Sequence, residues 1–429
     1  MRKDFLLPTS IFSDKMVEAS MDMPKGGLPM DPLNEQRLYR RNIKVNYAFF
    51  FLMSLSITRG FWMIYLASKG MSLVELGILE GMFHVTSFVM ETPTGAIADL
   101  FGRKFSRILS RFFLVADALL ILYGTSFTHF FIAFMLCAIG WNLESGAGDA
   151  MVYDSLVEIK EEHTYMKVNG RIEMTYQGAQ AAGLAIGGLI AGFSYHYLYY
   201  GQVCIIAASV AVALLFKETR VGREKGQEQE KPGFLACLKK QYIDSFKVIK
   251  GNNRLIYMIV FLNALGVFTT TTFFYMQIYC KENGMKENAI GILFAVSCIL
   301  GAIGGVSAHR IEALVKERRL LFSLPIIFMI LLWGMIWFKT AVVTFLIIGM
   351  FDSITYVVYF DYVNRLIPSA KRATLLSFSS MVFSSFMIII FPAFGWIGDH
   401  FGLQYSFAFV ACTATALVLI NLRILIPRK

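Results

Sequence analysis

The stretch ETPTGAIADLFGRKFSRILSR, residues 91–111, sets Glu91, Asp99, Arg103, Lys104, Arg107 and Arg111 between two strongly apolar runs. Other charges interrupt apolar runs elsewhere: Arg59, His84, Asp117, Glu144, Asp149 and Asp352. At the centre of a bilayer such a group costs roughly 2.5–3.5 kcal/mol on insertion scales, so one that persists faces a wet cavity or an opposite charge. A carboxylate at that depth can carry a proton. One elementary charge crossing 100 mV is worth about 2.3 kcal/mol, enough to drive a conformational change.

The surrounding sequence shows why hydrocarbon is the relevant solvent. Of 429 residues, 56% are hydrophobic and 16% charged, against about 25% charged in soluble domains; mean hydropathy is +0.57. Runs near the ~20 residues that cross a bilayer fall at about 45–67, 73–98, 106–127, 130–157, 171–193, 197–216, 255–279, 287–308, 320–338, 341–364, 373–398 and 402–426. Backbone polar groups in lipid must be satisfied within the segment, so these are read as twelve transmembrane helices of an all-α membrane protein.

The net charge of +10 is a topology signal rather than a nucleic-acid footprint. About 35 of the 40 Lys and Arg fall on the side of Arg37, Arg40, Arg41 and Lys44, whereas the opposite loops hold Lys69, Lys281, Lys286 and Lys339. That asymmetry predicts a multi-pass cell-membrane protein with both termini in the cytoplasm. Residues 1–36 read as a cytoplasmic tail without a signal-peptide core. Residues 37–216 and 255–429 read as two pseudo-symmetric six-helix bundles. Between them, residues 217–254 open with a polar run and continue as FLACLKKQYIDSFKVIKG, an amphipathic basic helix suited to the membrane surface. Weak internal similarity supports duplication, pairing Gly95 and Asp99 with Gly305 and His309, and Tyr153–Asp154 with Phe360–Asp361. Two such halves suit a rocking transporter with its site at midplane.

The segment GAIADLFGRK resembles the loop signature G-x-x-x-D-x-x-G-R-[RK] of the major facilitator superfamily, with Gly95, Asp99, Gly102, Arg103 and Lys104 at the matching positions. The resemblance implies the major facilitator fold, with these residues and Asp154, as partner of Arg103, forming a cytoplasmic conformational latch. The alternative role for these charges is to stop the helices and orient the hairpin. Glu91-x-Pro93-x5-Asp99-x3-Arg103-Lys104 further resembles the variant found in tetracycline exporters, although His84 stands where those carry a carboxylate. The fifth span also lacks the Gly-Pro pair of many superfamily antiporters; its Gly183, Gly187, Gly188 and Gly192 form a face for close packing.

By the same resemblance the first, fourth, seventh and tenth spans line a central cavity. This makes Arg59, Asn142, Glu144, Asn263 and Thr270 candidates for contacting substrate, and Glu91, Asp149 and Asp352 candidates for carrying protons. Asp149 shares a face of its span with Asn142, Ser145 and Tyr153, while Glu144 lies on another. For each carboxylate the competing role is a structural ion pair with Arg59, Arg111 or Arg171.

The six cysteines (137, 204, 237, 280, 298 and 412) form no CxxC pair, so no metal site is expected. Neither a phosphate-binding loop nor a hydrolase motif is present, so no enzyme activity and no cofactor are expected, the proton gradient supplying the energy. The expected partners are a small-molecule substrate, protons and membrane lipids, with no nucleic acid, and the expected state is a monomer. Three activities follow: proton-coupled export of a small amphipathic drug or metabolite, proton-coupled import of a nutrient or organic acid bound through Arg59, or a non-transporting receptor on the same fold. For topology, Lys281→Cys should react with a membrane-impermeant maleimide in intact cells and Lys225→Cys should not. The reverse labelling pattern would invert the orientation.

Overall fold

The computed structural model describes residues 32–219, 253–365 and 372–425. The described chain folds into α1 (Pro32–Ser54), α2 (Trp62–Ser68), α3 (Leu73–Phe101), α4 (Arg103–Tyr123), α5 (Phe127–Glu158), α6 (Tyr165–Ala191) and α7 (Tyr195–Leu214), then α8 (Asn253–Glu282), α9 (Glu287–Val315), α10 (Glu317–Gly334), α11 (Phe338–Arg365), α12 (Arg372–Phe401) and α13 (Leu403–Leu425). Because α1 and α2 are two pieces of one span, these helices make twelve crossings, six in each half. Eight helices are long and apolar enough to span by composition alone. In α1 and α4 charged residues interrupt that signal, and in α6 Gln177, Gln180 and the glycines dilute it. The tail up to residue 31 and the amphipathic helix expected near 235–250 lie outside the described residues, and α1 begins at Pro32, inside the stretch read as tail.

The first span is not the continuous helix its hydropathy suggests. Residues 55–61 are non-helical, and free backbone groups must be satisfied inside the protein at membrane depth. Ile57 N donates to Gln202 Oε1 on α7 (3.0 Å). The glycine face of α6 makes room for the break: a Cβ at Gly183 would lie 3.0 Å from Ser56 O, and one at Gly187 would collide with Ile57 O. Farther along α6, a Cβ on Gly188 would come within 2.8 Å of Gly291 Cα on α9, so two backbones touch where the halves cross.

The turn between α9 and α10 falls at Lys316, in the left-handed region at φ +70°, where a side chain costs roughly 1–2 kcal/mol. Its counterpart between α3 and α4 is Gly102, at φ +97°. The expected pairing of Gly95 and Asp99 with Gly305 and His309 is therefore out of register, because α9 runs farther before it turns.

The N-terminal half contains a buried charge cluster. Arg107 Nε donates to Glu144 Oε1 (3.0 Å) and Arg107 Nη1 to Asn46 Oδ1 (2.8 Å), while Arg111 Nη2 lies 3.8 Å from Glu144 Oε2. The Arg107 guanidinium sits 4.2 Å from the Phe49 ring centroid and 4.4 Å from that of Phe216, a geometry in which desolvated cation–π attraction is strongest. Glu144 thus ties α5 to α4. Glu144→Gln removes the carboxylate from two buried guanidinium groups, and the expected loss of folding stability is about 3–5 kcal/mol. Thermal unfolding of the purified protein would test this, and an unchanged midpoint would contradict the structural role.

Candidate functional site

At the end of the molecule that carries the described chain ends, the α3–α4 turn forms a network within the N-terminal half. Arg103 Nη1 donates to Asp99 Oδ1 (3.1 Å), and Arg103 Nε lies 3.8 Å from Asp154 Oδ2 on α5. Glu218, just beyond α7, accepts from the backbone N–H groups of Arg103 (2.9 Å) and Lys104 (2.8 Å). A carboxylate on the free donors of a helix start satisfies them and complements the helix dipole. A Cβ on Gly102 would sit 2.7 Å from Glu218 Oε2, so glycine meets both the positive φ and the close approach. Lys104 Nζ and Arg41 Nη2 donate to the Leu214 and Leu215 carbonyls at the end of α7 (both 2.8 Å). Asp99, Gly102, Arg103, Lys104 and Asp154 are thereby brought together. A Cβ at Gly95 would meet nothing within 4 Å, so this glycine faces open space rather than a close neighbour.

The opposite end joins the two halves. Asp399, at the end of α12, accepts from Leu73 N and Val74 N at the start of α3 (both 2.9 Å). Tyr275 Oη donates to Leu73 O (3.1 Å) and is placed to reach Phe391 O (2.9 Å). Gln277 Nε2 donates to Arg59 O (3.0 Å), and Tyr195 Oη to Glu287 Oε1 (3.0 Å). Along α3, Gly77 packs on Pro392, where a Cβ would fall 2.6 Å from its Cα, and Gly81 meets Ile388. Beyond these contacts, Glu91 and Gly95 on the same helix are exposed. The pair α3 and α12 is therefore joined at the Asp399 end and through Gly77 and Gly81. Asp99-Leu100-Phe101-Gly102 and Asp399-His400-Phe401-Gly402 repeat a D-x-F-G pattern, with φ +97° at both glycines.

Between these ends lies a cavity of about 470 Å³ lined by Arg59, Glu80, His84, Asp117 and Thr270 among others. His84 Nε2 is 3.7 Å from Glu80 Oε1, one helical turn away, and His84 Nδ1 is 3.4 Å from Ser384 Oγ of the other half. The Arg59 guanidinium lies over the Phe273 ring at 5.5 Å, with Nε buried and without a hydrogen-bond partner. Of the expected cavity residues, Arg59 and Thr270 line this space. Asn142 instead pairs with Ser87 (2.8 and 2.6 Å). Asn263 donates to Ile259 O and Ser379 Oγ (both 2.8 Å), and Glu144 belongs to the arginine cluster. Asp352 accepts from Thr269 Oγ1 (2.8 Å) within the C-terminal half, while Asp149 is exposed. Among the described residues, no group of three His, Cys, Asp or Glu is arranged to hold a metal ion.

Sequence reasoning missed Glu80, Glu218 and Asp399. Glu80 had a readable signal, since it stands four residues before His84 inside an apolar run. The other two lie at helix ends among ordinary polar residues, and their roles depend on contacts distant in the chain.

A family profile described as Major Facilitator Superfamily matches residues 47–392. The chain belongs to the major facilitator superfamily. Membership places it among membrane transporters rather than enzymes. It is 22% identical over 382 residues to the uncharacterized MFS-type transporter YxaM of Bacillus subtilis, covering 84% of this chain and 89% of that one. The uncharacterized MFS-type transporter MJ1560 of Methanocaldococcus jannaschii is 20% identical over 353 residues, covering 81% and 88%. Among solved structures, the nucleoside transporter NupG aligns with a TM-score of 0.74 at 12% identity, covering 91% of this chain and 100% of that one. The inward-open xylose transporter XylE from E. coli aligns at 0.65 with 12% identity, covering 93% and 97%. These structural likenesses carry the fold.

Asp399→Ala removes the acceptor of the Leu73 and Val74 N–H groups, leaves the Ser72–Glu75 capping box in place, and weakens closure at that end. At about 1 kcal/mol per cap, the balance of conformations should shift roughly fivefold. Spin labels at Ser68 and Lys286 should report a larger population of long distances; an unchanged distribution would contradict the closing role of Asp399.

Proposed function

We propose that the chain is a secondary transporter working by alternating access, with proton-coupled efflux of a small amphipathic compound as its direction. The observation that carries this reading is the cavity shared by the two halves, lined by Arg59, Glu80 and His84 from one and by Thr270, Phe274 and Phe383 from the other. The Lys and Arg asymmetry assigns the end that bears the α3–α4 turn to the cytoplasm. The repeated D-x-F-G pattern supports a reciprocal mechanism. In the inward-facing state Asp399 caps α3. In the outward-facing state Asp99, at the other end of α3, meets the positive N-terminus of α12. The latch of Gly95, Asp99, Gly102, Arg103, Lys104 and Asp154 then closes the cytoplasmic side, with Glu218 holding the turn in shape.

Glu91 and Asp149 are exposed, which suits proton exchange, and Asp352 is held by Thr269. No cofactor is needed, and a monomer in the cell-membrane lipid suffices for the cycle. The Glu91–Lys104 spacing supports the drug-exporter branch. Arg59 supports the importer reading, because its guanidinium in the cavity suits a substrate carboxylate.

Expression in an efflux-deficient host, a resistance screen and proton flux in inverted vesicles separate the two. Export predicts resistance and substrate-driven proton movement, with at least about a tenfold loss in Asp99→Asn and Asp149→Asn at unchanged membrane expression. Uptake of a labelled solute without resistance would reverse the direction, and absence of any solute or proton movement would overturn the transport reading.

A further inference from the structure

The cavity contains both signs of charge held apart. Arg59 and Glu80 both line it, yet no ion pair within 4 Å joins them among the described residues. Asp117 and Cys137 also line the cavity, and Asp117 Oδ1 is buried without a partner. Tyr199 Oη, on the same wall, is likewise buried and unpartnered. Buried polar groups in native proteins are ordinarily satisfied, so each exception points to a missing water or ligand. Here the exceptions have complementary needs: a guanidinium N–H requires an acceptor, and a carboxylate oxygen requires a donor.

Another part of the lining is aromatic. Trp62 packs edge-on to Phe134 and Phe274, at 5.1 and 5.6 Å between centroids, and Phe83 and Phe383 complete the aromatic lining. Phe274 and Phe383 come from the C-terminal half, so an occupant touches both bundles. A cavity of about 470 Å³ falls in the range that takes drug-sized ligands.

We propose that this cavity binds a zwitterionic aromatic compound, its carboxylate on Arg59, its ammonium toward Glu80 and Asp117, and its ring among Trp62, Phe83, Phe274 and Phe383. A purely anionic ligand leaves Asp117 unsatisfied, and a purely cationic one leaves Arg59 so. This assignment deepens the transporter reading and rests on it for the claim that the compound crosses the membrane.

The test is calorimetric titration of the full-length protein in lipid nanodiscs with four probes sharing one ring system: tryptophan, tryptamine, indole-3-propionate and indole-3-propanol. Tryptophan should bind roughly tenfold or more tightly than each of the others. Arg59→Gln should remove its advantage over tryptamine, and Asp117→Asn its advantage over indole-3-propionate. Arg59→Lys should keep part of the preference, which separates recognition from misfolding, and unfolding midpoints check that each variant is intact. Equal binding of all four, a preference for a singly charged or neutral probe, silence of all four, or a preference untouched by both variants would overturn the proposal. Because binding is read without transport, failed selectivity in a protein that still moves protons condemns the site assignment, whereas selective binding without movement condemns the transport reading.

Discussion

A carboxylate resting on the free N–H groups of a distant helix start is the interaction on which this arrangement depends. Each helix leaves several donors without partners at its first turn, and near hydrocarbon those donors must be met from within the protein. Asp399 meets them for α3 and in doing so joins the two halves at one end. Glu218 meets them for α4 and joins the last helix of the N-terminal half to the charged turn. The first spans the interface between the halves, while the second lies within the N-terminal half. The same chemistry serves both, and the distinction lies in which helices it connects.

The fold was legible in the sequence because lipid imposes a simple rule of length and apolarity. Eleven of the expected spans correspond to single helices, with ends displaced by a few residues. The first does not, because hydropathy averages over Ser54 to Gly60 and cannot register a backbone that leaves the helix and finds Gln202. The turn motif was legible from local spacing, since Asp99 and Arg103 are one helical turn apart and pair directly. Glu144 was ambiguous for a physical reason: a carboxylate deep in a span can face water or face arginines, and the sequence offered Arg111 as a partner without revealing that Arg107 converges on it too.

The halves divide their polar groups unequally. Arg59, Glu80, Asp117, Arg107, Arg111 and Glu144 all belong to the N-terminal half, and Arg107 and Arg111 are among its most deeply buried side chains. Removing one partner from such a cluster is costly, so the half behaves as a stiff unit. The C-terminal half brings Thr270, Phe274 and Phe383 to the cavity and keeps Asp352 on Thr269. An occupant held by charges on one side and rings on the other gives each half a different hold on it.

The crossing of α6 and α9 has a mechanical consequence. Gly188 and Gly291 meet without side chains, so no knob sits in a hole there and no rotamer must flip before the bodies turn. Interdigitated helices resist sliding like meshed gears; two bare backbones form a smooth bearing. That crossing therefore offers little resistance to relative rotation, and a single methyl group added to either glycine would obstruct it.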